Sequence, residues 1–391
     1  MIDPHDPDWY LAPDHYEVLA RLRAEEPVFE YKPGHHVVSR YDDIRAISRD
    51  PEHFVNGRGV LVNDPMRSTN APPVAPSMLQ MDPPQHSQYR QLVSRAFTPR
   101  AVRSLEGRVR ELARRTLDRI DLSGDVDVVA DVAVPLPVTV IAELLGIPEE
   151  VHNDFRRWSD AAIAAGENDP SAMLETIELF EYLGSHVDET RERGGDHLVA
   201  RLVEADLDGY RLTRAELQMF CVTLLVAGNE TTRHLISGGV RALADHPDQL
   251  VALRARPELI PGAIEEMLRW TTPVQAFART AASDLMLHDQ PVHEGDYLIM
   301  LYASGNRDES AFGPAAGAFD ALRPSDPAHV AFGFGQHLCL GASLARIEAR
   351  VLFEELLARV DGVALAGAGR PTRSTIMHGW IELPVRFSPT V

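Results

Sequence analysis

The segment of residues 332–341, FGFGQHLCLG, constrains this chain more than any other, because it places one cysteine between glycines directly before a predicted helix. Glycine lets a backbone turn tightly and approach a flat ligand closely, a role that suits Gly335 and Gly341. A cysteine at a helix N-terminus, beside a cationic His337, is expected to favour its thiolate form. Cys339 is therefore a candidate metal ligand.

The number of cysteines limits the kind of metal site. The chain contains only Cys221 and Cys339, so a zinc ribbon or an iron–sulfur cluster would lack ligands. No Gly-Lys-Ser/Thr follows the glycines, which argues against a phosphate-binding loop. One thiolate on one metal indicates haem with a cysteine axial ligand. The alternative for Cys339 alone is a small buried hydrophobic side chain, a common role for an isolated cysteine.

The composition predicts a soluble globular protein. Of 391 residues, 45% are hydrophobic and 25% are charged, which allows an ample core. The formal net charge of −20 disfavours nucleic acids and anionic membranes as partners. The first six residues have neither a basic region nor an apolar run, so neither a signal peptide nor a membrane anchor is expected. With so few cysteines, the predicted location is the reducing cytoplasm, and the chain is expected to be a monomer.

Arginines without nearby acids stand out against this acidic background. Residues 83–105 contain no Asp or Glu, and two further arginines follow Cys339 on the next predicted helix. Such a surface could dock an acidic protein partner and speed the encounter electrostatically. The alternative, equally supported, is that the arginines pair with acids from elsewhere in the fold. The candidate residues are Arg95, Arg100, Arg103, Arg346 and Arg350.

The hydrophobic pattern predicts a single, mainly helical domain over residues 1–391, with small β-sheets at one side. No repeat, low-complexity tract or linker divides the chain. Residues 28–39 predict a β-hairpin around a Lys-Pro-Gly turn, and the alternation near 362–365 and 380–387 predicts short strands. Helices are predicted near residues 86–96, 99–120, 137–145, 150–165, 171–192, 213–245, 258–270 and 341–360.

The centre of the predicted helix at 213–245 has an unusual composition. The helix starts with a Thr-x-x-Glu capping box, but its middle has the sequence AGNETT, and glycine, asparagine and threonine are unfavourable inside a helix. Gly228 would leave room for a ligand, while Glu230 and Thr231 offer a carboxyl and a hydroxyl group for proton relay. The alternative is a polar turn at the surface with a tolerated glycine.

Other charged residues are placed where they could pair with one another or hold an anion. Glu266 and Arg269 lie three residues apart on a predicted helix and can form an ion pair on one face. Arg279 lies in an apolar stretch, where a buried cation would need an anionic partner. His86 and Arg90 lie four residues apart on another helix and could together bind a carboxylate or a phosphate.

Taken together, these segments closely resemble the cytochrome P450 family in its soluble bacterial form, in order and spacing along nearly the whole chain. The cysteine segment matches the family signature Phe-x-x-Gly-x-(Arg/His)-x-Cys-x-Gly at every fixed position. The resemblance implies the cytochrome P450 fold, which is mainly α with small β-sheets in a single large domain, and it implies bound haem b. It makes Cys339 the proximal iron ligand, with Phe332 beside the ring and with Gly335 and Gly341 shaping the loop.

The resemblance also implies roles for the other residues. Glu266 and Arg269 match the family's Glu-x-x-Arg motif, with Arg323 as the third partner of a structural core beneath the haem. Thr231 would hydrogen-bond the dioxygen, and Glu230 would help to deliver protons. The positions that would bind the haem propionates are His86, Arg90, Arg279 and His337.

The implied function is that of a monooxygenase, which inserts one oxygen atom from O2 into a C–H bond of a hydrophobic small molecule. Its electrons would come from NAD(P)H through a ferredoxin reductase and a ferredoxin that docks on the arginine surface. One alternative is a peroxygenase driven by hydrogen peroxide, against which the pair of Glu230 and Thr231 counts. Another is a non-catalytic haem-binding protein.

The substrate is expected to occupy an apolar pocket above the haem. The chain looks most like actinobacterial family members that hydroxylate steroid side chains, although terpenoids, fatty acyl chains and polyketides are also compatible with it. Epoxidation and C–C cleavage are the alternative reactions to hydroxylation. By resemblance, the pocket walls include Val62, Leu224, Ala227, Val274 and Ile376.

Overall fold

Helices make up most of the protein in a computed structural model, which describes residues 2–67, 77–95, 97–166 and 170–390. The helices predicted from the hydrophobic pattern are present, with ends that differ by a few residues. Their bounds and those of the additional helices are α1 Pro7–Tyr10, α2 His15–Glu25, α3 Tyr41–Arg49, α4 Gln85–Ser94, α5 Pro99–Ser104, α6 Glu106–Leu117, α7 Pro135–Leu145, α8 His152–Gly166, α9 Met173–Arg193, α10 Leu198–Glu204, α11 Arg214–Asp245, α12 Pro247–Ala255, α13 Ile260–Thr271, α14 Tyr302–Gly305, α15 Glu309–Phe312 and α16 Ala342–Leu357.

The helix predicted at 99–120 is divided in two at Leu105. The backbone N–H of Leu105 donates to the carbonyl oxygen of Val102 at 3.1 Å. This tight i→i−3 turn ends α5 before α6 begins at Glu106. The structure also contains the short helices α2, α3 and α12, which are not among the predicted ones, although the buried residues Tyr41, Ile44 and Ile47 of α3 have helical spacing.

The strands form small sheets, as the sequence predicts. The largest sheet in the described residues has the order β1-β2-β8-β5-β3, and the predicted hairpin forms its edge, with Val28 opposite Val38. The pattern does not predict β5 and β8, because every residue of β8 and nearly every residue of β5 is buried, so that neither alternates. The strand bounds are β1 Val28–Lys32, β2 His35–Val38, β3 Phe54–Val55, β4 Asp125–Asp127, β5 Ala276–Ala281, β6 Leu285–Leu287, β7 Gln290–Val292, β8 Tyr297–Leu301, β9 Val360–Leu365, β10 Arg370–Pro371, β11 Trp380–Glu382 and β12 Pro384–Pro389.

Helix α11 runs through the main hydrophobic core and positions the residues at its centre. Its predicted capping box is formed, because Thr213 Oγ1 accepts the Glu216 N–H at 3.2 Å and the Glu216 carboxylate accepts the Thr213 N–H at 2.8 Å. A Cβ on Gly239 would lie 2.7 Å from side-chain atoms of Met267 in α13 and of Phe353 in α16. Glycine at this position therefore lets three helices pack at close range.

One helical segment, Val128–Leu145, is long and apolar enough to cross a membrane by length and composition alone, with a mean hydropathy of 2.0. However, 67% of this segment is buried inside the protein. Val128, Leu136 and Leu145 are all fully buried members of the main hydrophobic core. Such burial is typical of a core helix in a globular protein.

Candidate active site

The cysteine segment forms a tight loop that ends where α16 begins. Gly333 and Gly335 have φ angles of 70° and 71°, in the left-handed region that favours glycine. A Cβ on Gly335 would overlap the backbone carbonyl of Ser48, so the loop can contact the end of α3 only through a glycine. The Cys339 N–H donates to the Phe332 carbonyl at 2.9 Å, which closes the loop and fixes the cysteine in front of α16.

The thiol of Cys339 is accessible although protein surrounds it. Cys339 is exposed, whereas Cys221 on α11 is completely buried. Burial among protein atoms nevertheless raises the pKa of the Cys339 thiol, while the backbone N–H groups of Gly341 and Ala342 act in the opposite direction. A side chain that is both accessible and desolvated lines an internal recess. The small buried hydrophobic cysteine of this chain is Cys221, whose thiol pKa burial raises to about 12.

The charge on His337 differs from the sequence-based expectation. Burial lowers the pKa of His337 to about 2, and the nearby His86, Arg279 and Arg90 contribute to the shift. His337 is therefore neutral at physiological pH. The expectation that His337 is cationic is therefore wrong, and burial raises the pKa of the neighbouring Cys339 thiol.

Imidazole and guanidinium groups lie together beside this loop. The rings of His86 and His337 have their centroids 4.0 Å apart. Both ring nitrogens of His86 and Nε2 of His337 are buried without a hydrogen-bond partner among the described residues. Burial lowers the pKa of Arg90 and that of Arg279, and neither forms an ion pair with a carboxylate in the described ranges. A buried cation requires an anionic partner and a buried ring nitrogen requires a hydrogen-bond partner, so this site is suited to a ligand with carboxylates.

The middle of α11 also borders an accessible recess. Ala227 is exposed and Thr231, one turn later, is partly exposed, whereas Asn229 and Glu230 between them are buried. The Thr231 hydroxyl donates to the Ala227 carbonyl at 2.6 Å, a bond that often bends a helix. Because the intervening polar residues are buried within the fold, the alternative of a polar turn at the protein surface does not hold.

Gly228 has a different role from the one expected. A Cβ on Gly228 would lie 2.9 Å from Cδ1 of Ile141, so this glycine allows α7 to pack closely against α11. The expectation that it leaves room for a ligand is therefore wrong. The room on α11 lies instead at Ala227, whose side chain consists of a single methyl group.

Two residues outside the predicted site, Arg233 and His234, lie against Glu230. Glu230 Oε1 is 3.5 Å from Arg233 Nη2 and 3.7 Å from His234 Nε2. Arg233 Nη1 also lies 4.0 Å from Asp160 on α8. The spacings i+3 and i+4 from an acid at the centre of a long helix are a signal that could have identified Arg233 and His234.

The predicted pocket residues differ in exposure. Val62 is 1% exposed and packs in the hydrophobic cluster that also contains Tyr297. The backbone N–H of Gln275 donates to the carbonyl of Ile376 at 2.8 Å, which places two of the predicted wall segments side by side. The residues that retain accessible surface are Leu224, Ala227, Val274 and Ile376.

Glu266, Arg269 and Arg323 meet in a buried ion-pair network. Arg269 donates to both carboxylate oxygens of Glu266 at 2.7 Å each, and Arg323 Nε lies 3.2 Å from Glu266 Oε2. Arg269 Nη1 also donates to the carbonyls of Asn306 and Ala316 at 2.6 and 2.8 Å. The network thereby ties α13 to the long segment that leads to the cysteine loop.

The arginine surface is partly neutralised by acids of the same chain. Arg346 donates to Glu265 through two hydrogen bonds of 2.7 and 2.8 Å. Arg350 lies within 2.9 Å of two carboxylates, one on α6 and one on α16. The pairing alternative thus holds for these two residues. The exposed members of the surface are Arg95, Arg100 and Arg103.

The part of the chain that carries most of these features matches a known protein family. A family model described as Cytochrome P450 matches residues 178–363, which include α11, the Glu266 network and the cysteine loop. The Mycobacterium tuberculosis protein named Putative cytochrome P450 123 is 39% identical, with 98% of this chain and 96% of that protein covered. The chain belongs to the cytochrome P450 family. It is thus a cytochrome P450 monooxygenase, and its cofactor is haem b.

Other P450s also match this chain over nearly its whole length. The steroid C26-monooxygenase of Mycobacterium tuberculosis is 33% identical, with 100% of this chain and 98% of that protein covered. The linalool 8-monooxygenase of Pseudomonas putida is 34% identical, with 99% of both covered. The structure of CYP109Q5 from Chondromyces apiculatus superposes with a TM-score of 0.88 at 35% identity, covering 100% of this chain and 98% of that one. The predicted fold class is confirmed.

The residues of this P450 fit haem. The thiol of Cys339 opens into a recess, and a Cβ on Gly341 would meet no described atom within 4 Å, which leaves space for a flat ring. The ring nitrogens of His86 and His337 that have no partner among the described residues can hydrogen-bond carboxylates such as the two propionates of protoporphyrin IX. Protoporphyrin IX, an apolar ring with carboxylates at one edge, matches both the space at Gly341 and the nitrogens of the two histidines.

Proposed function

We propose that this P450 hydroxylates an apolar small molecule, with Cys339 as the axial ligand of its haem. The observation that carries the proposal is the accessible Cys339 thiol, set in a glycine loop beside imidazole groups that have unpaired nitrogens within the described part of the chain. Haem with a thiolate ligand, when bound, supplies the activation of dioxygen for oxygen insertion. The protein's own part is to bind, to orient and to control protons.

The propionates are proposed to bind His86, Arg90, Arg279 and His337. Two carboxylates would give the buried Arg279 and the partly buried Arg90 anionic partners, which neither has among the described residues. An adjacent anion would also raise the pKa of His337 from about 2. Gly335 and Gly341 are proposed to shape the loop around the ring. Phe332, whose ring lies 4.5 Å from the Arg346 guanidinium, is proposed to pack beside the haem.

Glu230 and Thr231 are proposed to deliver protons. The Thr231 hydroxyl directs its hydrogen to the Ala227 carbonyl, which leaves the hydroxyl oxygen free to accept a hydrogen bond from the recess. Oε1 of Glu230 faces Arg233 and His234, which leaves Oε2 to exchange a proton with water. The Glu230 carboxylate thus offers an oxygen that can transfer a proton, and the neighbouring Thr231 hydroxyl offers an oxygen that can hold a proton donor in place.

Thr231→Ala is expected to uncouple electron consumption from product formation. Without the hydroxyl group, a proton donor is poorly ordered, so NAD(P)H oxidation should continue while hydrogen peroxide per NAD(P)H rises several-fold and product falls. Both ratios are measured with a surrogate ferredoxin system. Thr232→Ala, at the buried neighbour, is the matched control and should stay coupled. Equal coupling in wild type and Thr231→Ala would refute the role, and peroxide-driven turnover as fast as NAD(P)H-driven turnover would favour a peroxygenase.

The substrate is proposed to be a steroid or a terpenoid. Two relatives are named for such substrates, steroid C26 and linalool. The wall residues that retain accessible surface are all aliphatic, and no charged group among them would anchor a charged substrate. They are Leu224, Ala227, Val274 and Ile376.

Titration of the ferric protein with candidate substrates should identify the class. A steroid or a monoterpene is expected to shift the Soret band to shorter wavelength at micromolar concentration, because an apolar ligand displaces water beside the haem. Ala227→Phe fills the recess and should weaken the apparent affinity at least tenfold, whereas Val251→Phe on the exposed face of α12 should not change it. A shift obtained with fatty acids alone would place the substrate in a different class.

Electrons are proposed to come from NAD(P)H through a ferredoxin reductase and a ferredoxin-type protein in the cytoplasm. An acidic partner is complementary to an arginine surface and would be steered to it. The pairing of Arg346 and Arg350 with acids of this chain leaves Arg95, Arg100 and Arg103 as the stronger candidates. The ferredoxin-type protein would dock on the single P450 domain that residues 1–391 are proposed to form.

A further inference from the structure

His234 on α11 is a completely buried imidazole, and Gly379 packs closely against its ring. His234 is 0% exposed, and both of its ring nitrogens lack a hydrogen-bond partner among the described residues. A Cβ on Gly379 would overlap the ring, so the chain before β11 closes against His234 only because residue 379 has no side chain. Leucine would fill a similar volume without burying two polar nitrogens, which destabilise a protein when they are unpaired.

The polar group that His234 faces is the carboxylate of Glu230. His234 Nε2 lies 3.7 Å from Glu230 Oε1, slightly beyond hydrogen-bond length, so a small side-chain rotation would form the bond. The same oxygen lies 3.5 Å from Arg233 Nη2. Oε1 is therefore approached by two donors, one on a cation and one on an imidazole.

Arg233 and His234 differ in their other acidic neighbours. Arg233 also faces Asp160 on α8, at 4.0 Å, so its guanidinium is shared between two acids. His234 has only Glu230 as an acidic neighbour in the described part of the chain. Besides Arg233, the titratable group beside His234 in the described residues is His378. Burial lowers the pKa of His378 to about 4, so it is neutral at pH 7. Burial likewise lowers the pKa of His234, so its ring is a neutral donor.

We propose that His234 is a positioning residue for Glu230. Its Nε2–H binds Oε1 whenever Arg233 turns toward Asp160, so that the carboxylate keeps its orientation and Oε2 stays available beside Thr231. This inference rests on the proposed role of Glu230 in proton delivery. It assigns to Arg233 a contact shared between Glu230 and Asp160, and to His234 a contact with Glu230 alone.

The test compares His234→Leu, which removes the donor at similar volume, with His234→Gln, which retains an N–H at a similar reach. The measured quantity is the share of NAD(P)H electrons that ends in hydrogen peroxide. His234→Leu should raise this share at least threefold, and His234→Gln should remain within twofold of wild type. His246→Leu, a histidine just after the end of α11, is the matched control and should leave the share unchanged. A Gln variant as impaired as the Leu variant would overturn the proposal.

A second readout does not depend on turnover. Unfolding of the ferric holoenzyme is measured for Glu230→Gln, His234→Leu and the double variant, and the effects on the unfolding equilibrium should not add. Additive effects would overturn the proposed contact between the two side chains. If the effects are non-additive but Glu230→Gln leaves the peroxide share unchanged, the contact stands and the proton-delivery role proposed for Glu230 fails.

Discussion

Replacing Cys339 by alanine is expected to abolish the strongly red-shifted Soret band of the reduced, carbon monoxide-bound protein, together with all NAD(P)H-driven turnover. The reason is that the thiolate ligand gives haem both properties. Cys339 has an accessible thiol at the recess, whereas Cys221 is fully buried. Absorption spectra of the purified wild type and variant, reduced and then exposed to carbon monoxide, measure the effect directly.

Cys221→Ala is the matched control for this prediction. It removes the other thiol of the chain from the core side of α11 and should leave the band position unchanged. A red-shifted band that survives in Cys339→Ala, or that disappears in Cys221→Ala, would assign the iron to a different ligand. A wild-type protein with an ordinary imidazole-type band would place the iron on a histidine.

Replacing Arg269 by leucine is expected to destabilise the fold by about 3–5 kcal/mol, the usual cost of breaking a buried ion pair from one side. The substitution would leave the carboxylate of Glu266 buried with Arg323 as its remaining cation at 3.2 Å. It would also deprive the carbonyls of Asn306 and Ala316 of their donor. Denaturant titration of the free energy of unfolding, together with the haem content after expression, measures this loss.

An exposed pair on another helix gives the comparison for Arg269. Arg193 and Glu189 lie four residues apart on α9, at 3.6 Å, with side chains 77% and 61% exposed. Arg193→Leu should therefore change the free energy of unfolding by no more than about 0.5 kcal/mol. A loss in Arg269→Leu as small as that in Arg193→Leu would show that the buried network does not stabilise the fold.

The helices were easier to predict from the sequence than the strands. Helix α11 has a capping box at its start and a long apolar run after it, and these signals lie within one stretch of chain. Strands β5 and β8 are buried on both faces and carry no alternation, so a local pattern could not identify them. Their pairing joins Ala276 to Leu301, which are brought together only when the intervening chain has folded.

The candidate site shows the same division between local and distant interactions. The cysteine loop and the spacing of Glu266 and Arg269 could be predicted, because each motif occupies a few consecutive residues. The contact between Arg346 and Glu265 could not, since 81 residues separate the two. The position of Gly228 against Ile141 likewise depends on how α7 lies across α11.

The family, the cysteine loop and the helical framework can be inferred from local sequence, because they depend on backbone conformations and side-chain spacings within one segment. The tertiary structure decided the charge of His337, the partners of Glu230 and the exposure of Cys339. These properties depend on desolvation and on atoms that other segments contribute. Desolvation lowers the pKa of His337 to about 2, and no pattern of neighbouring residues encodes how deeply a side chain will be buried.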